Sequence, residues 1–359
     1  PIWSILKDRD EVLWIGFRGN NNLYYSKDGQ HFSYIDIEGL SPSKNNAIKN
    51  GVKSIYQSQD GSIYAATKKN LYEIINSGES YYAKSILLEL ENQKINTRIL
   101  HTYELFQASD GTFFIGQQLK GLQKSMGNGK LDQRVFRTYN PTIEPSLKSF
   151  RITDVLEDAT GRIWVGTYKG LHLYRPGTDD FLFFTKQQDD IHSLSSDIVI
   201  CMHEDRRGNL WIGTPNGLNM LVPGIDQGFS FKCFQEKEGL PNNYIHAIEE
   251  DEKGYLWIST NKGISKFDPE EMTFLNYDVF DGLPANSFME NASYNGEDGI
   301  LYFGSINGLT AFHPDSIRDQ NSNPEIVLTG FKIFNQEVKA GQKFKKRIIL
   351  DQAIEYESS

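Results

Sequence analysis

The sequence predicts an all-β fold: a seven-bladed β-propeller of four-stranded antiparallel blades, with the beginning of a β-sandwich-like segment at its C-terminal end. Three observations carry this. An aromatic residue recurs as Trp14, Tyr64, Phe114, Trp164, Trp211, Trp257 and Tyr302, every 45 to 50 residues along a chain of 359. Three residues before it stands a glycine (Gly61, Gly111, Gly161, Gly208, Gly254, Gly299), with Glu11 as the exception in the first repeat. Two residues after it stands a small residue: Gly16, Ala66, Gly116, Gly166, Gly213, Ser259 or Gly304. A period of this length, filled with short strands and tight turns, describes propeller blades.

Each element has its own warrant. Strand A is the near-continuous apolar run at 2–6, 52–56, 152–156 and 245–248, as expected of a strand covered on both faces. The A–B turn is short and polar, and its glycine is expected at positive φ. Strand B carries the aromatic (13–15, 163–165, 210–212), whose fixed place predicts packing between blades. The small residue after it suits close approach of a neighbouring backbone. Strand C follows a Gly-Leu or its equivalent at 171–174, 218–221, 264–267 and 309–312. Strand D is the aromatic-rich stretch at 32–35, 81–86, 135–139, 181–185, 229–234 and 274–277.

The repeats give a propeller over 1–315, a polar linker at 316–323 and the start of a truncated β-sandwich module at 324–359. An alternative is that 326–334 supplies the fourth strand of blade seven. With Pro1 already inside the first repeat and no initiator methionine, the sequence is expected to be a piece of a longer protein.

A formal net charge of −10 argues against nucleic-acid contact. No run approaches 18 apolar residues, so membrane attachment would come only through segments outside this chain. Cys201 falls on strand A and Cys233 on strand D of one blade, too far apart for a disulfide, so two free thiols are expected, with Cys201 buried. The Glu-Asp pairs at 157/158, 204/205 and 250/251 recur in successive A–B turns and read as turn structure. A glycosidase would need two carboxylates about 5 to 10 Å apart flanking one bond. Histidines 31, 101, 172, 192, 203, 246 and 313 show no metal-ligand spacing, and no cofactor is expected.

Glu204, Asp205, Gly208, Leu210, Trp211, Ile212, Gly213, Thr214, Gly217 and Leu218 form a pattern that resembles the two-component regulator propeller repeat. Residues 157–171 match it nearly as well, and Leu328-Thr329-Gly330-Phe331 resembles the opening of the small Y_Y_Y-type β-sandwich that follows such propellers. The resemblance implies the periplasmic sensor of a Bacteroidetes hybrid histidine kinase and response regulator that detects or relays an oligosaccharide signal and controls glycan-utilisation genes. It implies as partners an oligosaccharide, a preceding propeller and the following sandwich of the same chain, and a homodimer. Kinase activity would reside in domains outside this chain, so no enzyme is expected here. Two other readings stand beside it: a carbohydrate-active lyase or hydrolase using His101 or His246, and a purely structural propeller whose ligand is held elsewhere.

Successive strands are antiparallel, so the D–A and B–C loops share one face and the A–B and C–D turns the other. The A–B turns are uniform and the B–C and D–A loops vary, which places a site on the variable face. Its candidate ligand-binding residues are Arg18, Asn20, Lys68, Arg98, His101, Arg151, Tyr168, Tyr244, His246, Asn286 and Phe288. Amides and guanidinium groups hydrogen-bond sugar hydroxyls or acidic groups, and a ring face covers the sugar's C–H face. The same residue types are ordinary in turns.

Overall fold

A computed structural model gives seven consecutive antiparallel sheets around one axis. It describes residues 1–317 apart from 20–21, 38–50, 79, 92, 98–101, 144–145 and 225–227, and four two-residue strands between 332 and 348. Blade four shows the plan: strand A (Ile152–Glu157), B (Ile163–Thr167), C (Gly170–Arg175) and D (Asp180–Phe184), paired in chain order. Blades one, two, five and six repeat it. Two blades depart from the uniform plan. Blade three is widened by Leu88–Leu90, which runs parallel to its strand D (Val135–Tyr139), and by Gln93–Thr97 beyond that. Blade seven has three strands among the described residues: Phe288–Asn295, Leu301–Ser305 and Leu309–Phe312.

Pro1–Pro314 forms one compact unit and Asp315–Ser359 a second. In the second, Lys332–Ile333 pairs with Gln336–Glu337, and Lys343–Phe344 with Arg347–Ile348. The rest of 326–334 lies outside the described residues.

The repeated residues do identifiable work. Trp14, Trp164, Trp211 and Trp257 are fully buried, and each packs on a ring of the next blade: Tyr81, Phe229, Phe267 and Phe312. Each indole Nε1–H donates to an aspartate six residues earlier, Asp8, Asp158, Asp205 or Asp251, at 2.7–2.8 Å. The same carboxylate accepts backbone N–H groups of the A–B turn, as Asp205 does from Arg207 and Asn209. Blades with Tyr64, Phe114 or Tyr302 have Ser58, Ala108 and Gly296 in the aspartate's place. Where the indole is missing, so is its acceptor.

The residue before that aspartate reaches the previous blade. Gln57, Gln107, Glu157, Glu204 and Glu250 accept the backbone N–H of Arg9, Gln59, Ser109, Ala159 and Arg206, at 2.6–3.0 Å. The Glu-Asp pairs are therefore structural at both positions: one carboxylate staples blades together, the other caps a turn and an indole. The glycine before each aromatic has φ between 74° and 87°, and Glu11 occupies the same left-handed region at 63°. A Cβ on Gly116, Gly166 or Gly304 would meet Ile152, Val199 or Ile2 of the next blade at 2.8–2.9 Å. Cys201 is buried and Cys233 half-buried, both as free thiols.

Candidate functional site

Strand A departs from the continuous apolar strand expected, and the departure builds the site. In five blades its register against strand B slips by one residue near its start: between Ile2 and Ser4, Val52 and Ser54, Thr102 and Glu104, Ile152 and Asp154, and Ile245 and Ala247. Each slip is a β-bulge, which re-aims side chains. The residues inside the bulges are Trp3, Lys53, Tyr103, Thr153 and His246. In blade seven the slip spans Phe288 to Ser293, and Asn291 within it sits at φ 54°. The inner strands thus carry Lys53, Glu104, Asp154 and His246 among their apolar residues.

At the B–C and D–A end these residues meet the variable loops. The Arg18 guanidinium lies 5.6 Å from the Trp3 ring centroid, and the Lys53 and Lys68 ammonium groups lie 5.6 and 5.7 Å from it. Lys53 also stands 5.3 Å from the Tyr103 ring. Arg151 lies 5.5 Å from Tyr103 and 3.7 Å from Tyr168, over whose face it sits. Such contacts stabilise a cation by about 0.5–2 kcal/mol, more as water is excluded.

Glu290, from the blade-seven bulge, ties the group to the opposite wall. Its carboxylate accepts the Tyr244 hydroxyl proton at 2.8 Å, and its carbonyl accepts from Lys53 Nζ at 3.3 Å. The Tyr244 ring lies against His246, with centroids 4.8 Å apart and planes tilted by 38°, and His246 Nε2 shares a hydrogen bond with Asn261. Asn291 reaches across the axis and donates to the Thr153 carbonyl at 2.8 Å, so blade seven bridges to blade four. A cavity of about 290 Å³ continues along the axis past Lys53, Tyr103, Glu104 and Asn291.

Burial dominates the electrostatics. Desolvation lowers the Lys53 ammonium to about 8, against the pull of Glu290 and Glu104. Deeper, desolvation raises Glu104 well above the usual carboxylate range, with Asp154 as its repelling neighbour, and brings Asp154 itself up to about 6. Burial also lowers His246.

Of the residues predicted from sequence, Arg18, Lys68, Arg151, Tyr168, Tyr244 and His246 come together here. Asn20, Arg98 and His101 lie outside the described residues. Two candidates stand apart from the cluster. Phe288 is a core residue, 2% exposed and packed on Phe303, because the bulge begins just after it. Asn286 is a loop brace: its side chain accepts from the Val279 N–H and its carbonyl from the Gly263 N–H. Trp3, Lys53, Tyr103 and Glu290 were not among the predicted residues. The signal for the first three was the second residue of strand A, which varies in chemistry from blade to blade while the residue before it is Ile, Val or Thr. Among the described residues, no group of three His, Cys, Asp or Glu side chains could hold a metal ion.

The family described as two component regulator propeller matches residues 148–169, 193–216 and 239–262, which run from the D–A loop through strand B in blades four, five and six. Histidine kinase P4 of Formosa agariphila is 25% identical over 349 residues, covering 95% of this chain and 24% of that protein. The extracellular domain of a hybrid two component system from B. thetaiotaomicron superposes with a TM-score of 0.72 at 24% identity, over 95% of this chain and 44% of that one. Virginiamycin B lyase from Staphylococcus aureus shares the fold at 13% identity with a TM-score of 0.59, over 86% and 93% of the two chains. This chain therefore spans about a quarter of the curated relative and less than half of the B. thetaiotaomicron domain.

Proposed function

We propose that this propeller is part of the extracellular, periplasmic sensor of a hybrid two-component protein and binds an oligosaccharide at the B–C and D–A mouth of its axis. Transmitter domains outside this chain would carry the signal to glycan-utilisation genes. Residues 324–359 would open the β-sandwich toward them. A preceding propeller and a second protomer are the partners this reading expects.

The observation that carries the proposal is the convergence of Trp3, Arg18, Lys53, Lys68, Tyr103, Arg151 and Tyr168 from four blades on one end of the axis. Rings and fixed donors at one mouth are what a sugar needs: a face for its C–H groups and hydrogen bonds for its hydroxyls. Propellers host lyases as well as sensors, so the fold argues for neither. The family repeat in three blades favours the sensor. Because the cluster joins blades one to four to blade seven through Lys53 and Glu290, a ligand seated there would favour one arrangement of those blades over another.

Isothermal titration of this chain with a panel of neutral and acidic oligosaccharides tests the reading. Tyr168→Ala, which removes the ring under Arg151, is expected to weaken binding by about tenfold. Binding unaffected by Tyr168→Ala would move the ligand elsewhere, and no binding by any oligosaccharide would remove the proposal.

A further inference from the structure

Resting on that reading, we infer that the ligand is anionic: a saccharide whose carboxylate or sulfate group is held between Arg151, Lys53, Lys68 and Arg18.

The charge distribution carries the argument. The whole chain has a formal charge of −10, yet four cations gather at one mouth. Arg18, Lys53 and Lys68 share one indole, each within 5.7 Å of its centroid, so any two lie within about 11 Å. Physiological salt screens exposed charges over about 8 Å, and it screens this group less because Lys53 is held out of solvent. Arg151 joins them across Tyr103. Among the described residues none of the four stands within ion-pair distance of a carboxylate. Elsewhere this chain pairs its basic groups readily, as Arg137 does with Glu91 and Asp179, and Arg175 with Asp180.

The carboxylate nearest the cluster, Glu290, spends an oxygen on the Tyr244 hydroxyl and offers Lys53 only its backbone carbonyl. Glu104 and Asp154 lie below the rim; burial holds Glu104 toward its neutral form, and Asp154, raised to about 6, accepts the Met202 N–H rather than an ion pair with any of the four cations. Arg151 Nε is buried without a hydrogen-bond partner, although a buried guanidinium N–H normally has one. Three aromatic faces offset part of the cost of crowding the cations, but rings accept no strong hydrogen bonds. A planar carboxylate or a sulfate would accept several from this set, and Arg suits both. A neutral sugar would supply hydroxyls and leave the positive charge uncompensated as water is displaced.

The test uses small probes read at Trp3, the one tryptophan in the cluster. Glucuronate and inorganic sulfate are titrated against glucose, following tryptophan fluorescence, with Trp3→Phe as the control that should abolish the signal. The expected result is saturable quenching by glucuronate, sulfate or both, weakened by added sodium chloride and absent with glucose. Arg151→Met is expected to weaken binding by about tenfold or more. Arg18→Gln and Lys68→Gln at the rim keep the test readable should an inner substitution unfold the blade. Response to glucuronate alone identifies a uronate ligand, and response to sulfate alone a sulfated one. Failure of both anions to exceed glucose overturns the inference. If neutral oligosaccharides still bind in a Tyr168-dependent manner, the sensor reading survives without it; if no saccharide binds, both fall.

Discussion

Asp205 serves three partners at once: the Trp211 indole at 2.8 Å, the turn amides of Arg207 and Asn209, and the Asn209 side chain. It is 4% exposed and the Trp211 indole is fully buried, so that donor has no ready access to water if the carboxylate is removed, whereas the turn amides lie nearer the surface. Leaving a buried donor unpaired costs about 1–3 kcal/mol, and more where the acceptor was charged. Asp205→Ala is therefore expected to destabilise the propeller by roughly 2–4 kcal/mol in urea unfolding. Blade three shows the alternative solution, with Ala108 and Phe114 in the two positions. The double variant Asp205→Ala/Trp211→Phe should thus lose less than the sum of the two single changes, because the phenyl ring brings no N–H to satisfy. Strict additivity would show that the indole bond contributes nothing beyond its turn. This pairing is written in the chain, since the aspartate is present before each of the four strand-B tryptophans and absent before Tyr64, Phe114 and Tyr302.

At the scale of the element, the inner strands bring ionisable groups where the apolar pattern predicted none, and this makes stability depend on pH in an unusual sense. The Lys53 ammonium is lowered to about 8 in the fold, from an ordinary value near 10.5, first by desolvation and then by Arg151 and Arg18 against the opposing pull of Glu290 and Glu104. Between those values the unfolded chain holds a proton that the folded chain has released, so stability rises with pH across that window. Asp154 is raised to about 6 by desolvation, with Glu249 adding to the rise and the Met202 N–H and His203 opposing it. Between about 4 and 6 the folded chain holds the extra proton, and stability falls as pH rises. Both penalties are fully present between about 6 and 8. Urea midpoints measured from pH 4 to 10.5 should show wild type gaining on Lys53→Met above pH 8 and losing to Asp154→Asn as pH rises from 4 to 6. Parallel curves for wild type and variant would refute the burial of the group concerned. The strands themselves were legible because glycine and aromatic positions repeat on a fixed period. The bulges were not, because a one-residue slip leaves no mark in apolar periodicity. Trp3 and Lys53 were therefore absorbed into strand A, while Arg18, Lys68 and Arg151 were visible as loop residues. Phe288 failed for the converse reason: it looked like loop and is the residue on which the longest bulge turns.

At the scale of the whole molecule, six junctions between neighbouring blades are spanned by the chain itself, and the seventh, between blades seven and one, is held among the described residues by side chains. Like the junction between blades six and seven, where Asn295 Nδ2 donates to the Glu250 carbonyl, it lacks among the described residues the Gln or Glu side-chain staple that joins blades one to six. In its place Lys7 Nζ pairs with Asp298 at 2.7 Å, and the Tyr294 hydroxyl donates to the Lys7 carbonyl at 2.6 Å. Below these, Ile2 packs against Gly304 so closely that no Cβ fits. Ile2–Lys7 is packed on blade seven but no connecting segment runs directly between the two blades, so this junction is expected to open before global unfolding. Amides of Ile2–Lys7 should then exchange with deuterium faster than those of Ile152–Glu157, the corresponding strand in the middle of the array. Asp298→Asn weakens a partly exposed pair and is expected to speed exchange at Ile2–Lys7 by about fivefold, leaving blade four unchanged. The mouth lies across the same junction, since Trp3 comes from blade one and Glu290 from blade seven. A bound ligand should therefore slow exchange at Ile2–Lys7 more than anywhere else in the ring, and would do so even in Asp298→Asn. Uniform exchange across all seven inner strands, with and without ligand, would mean that the ring opens only as a unit and that the seam between its ends plays no part in the response.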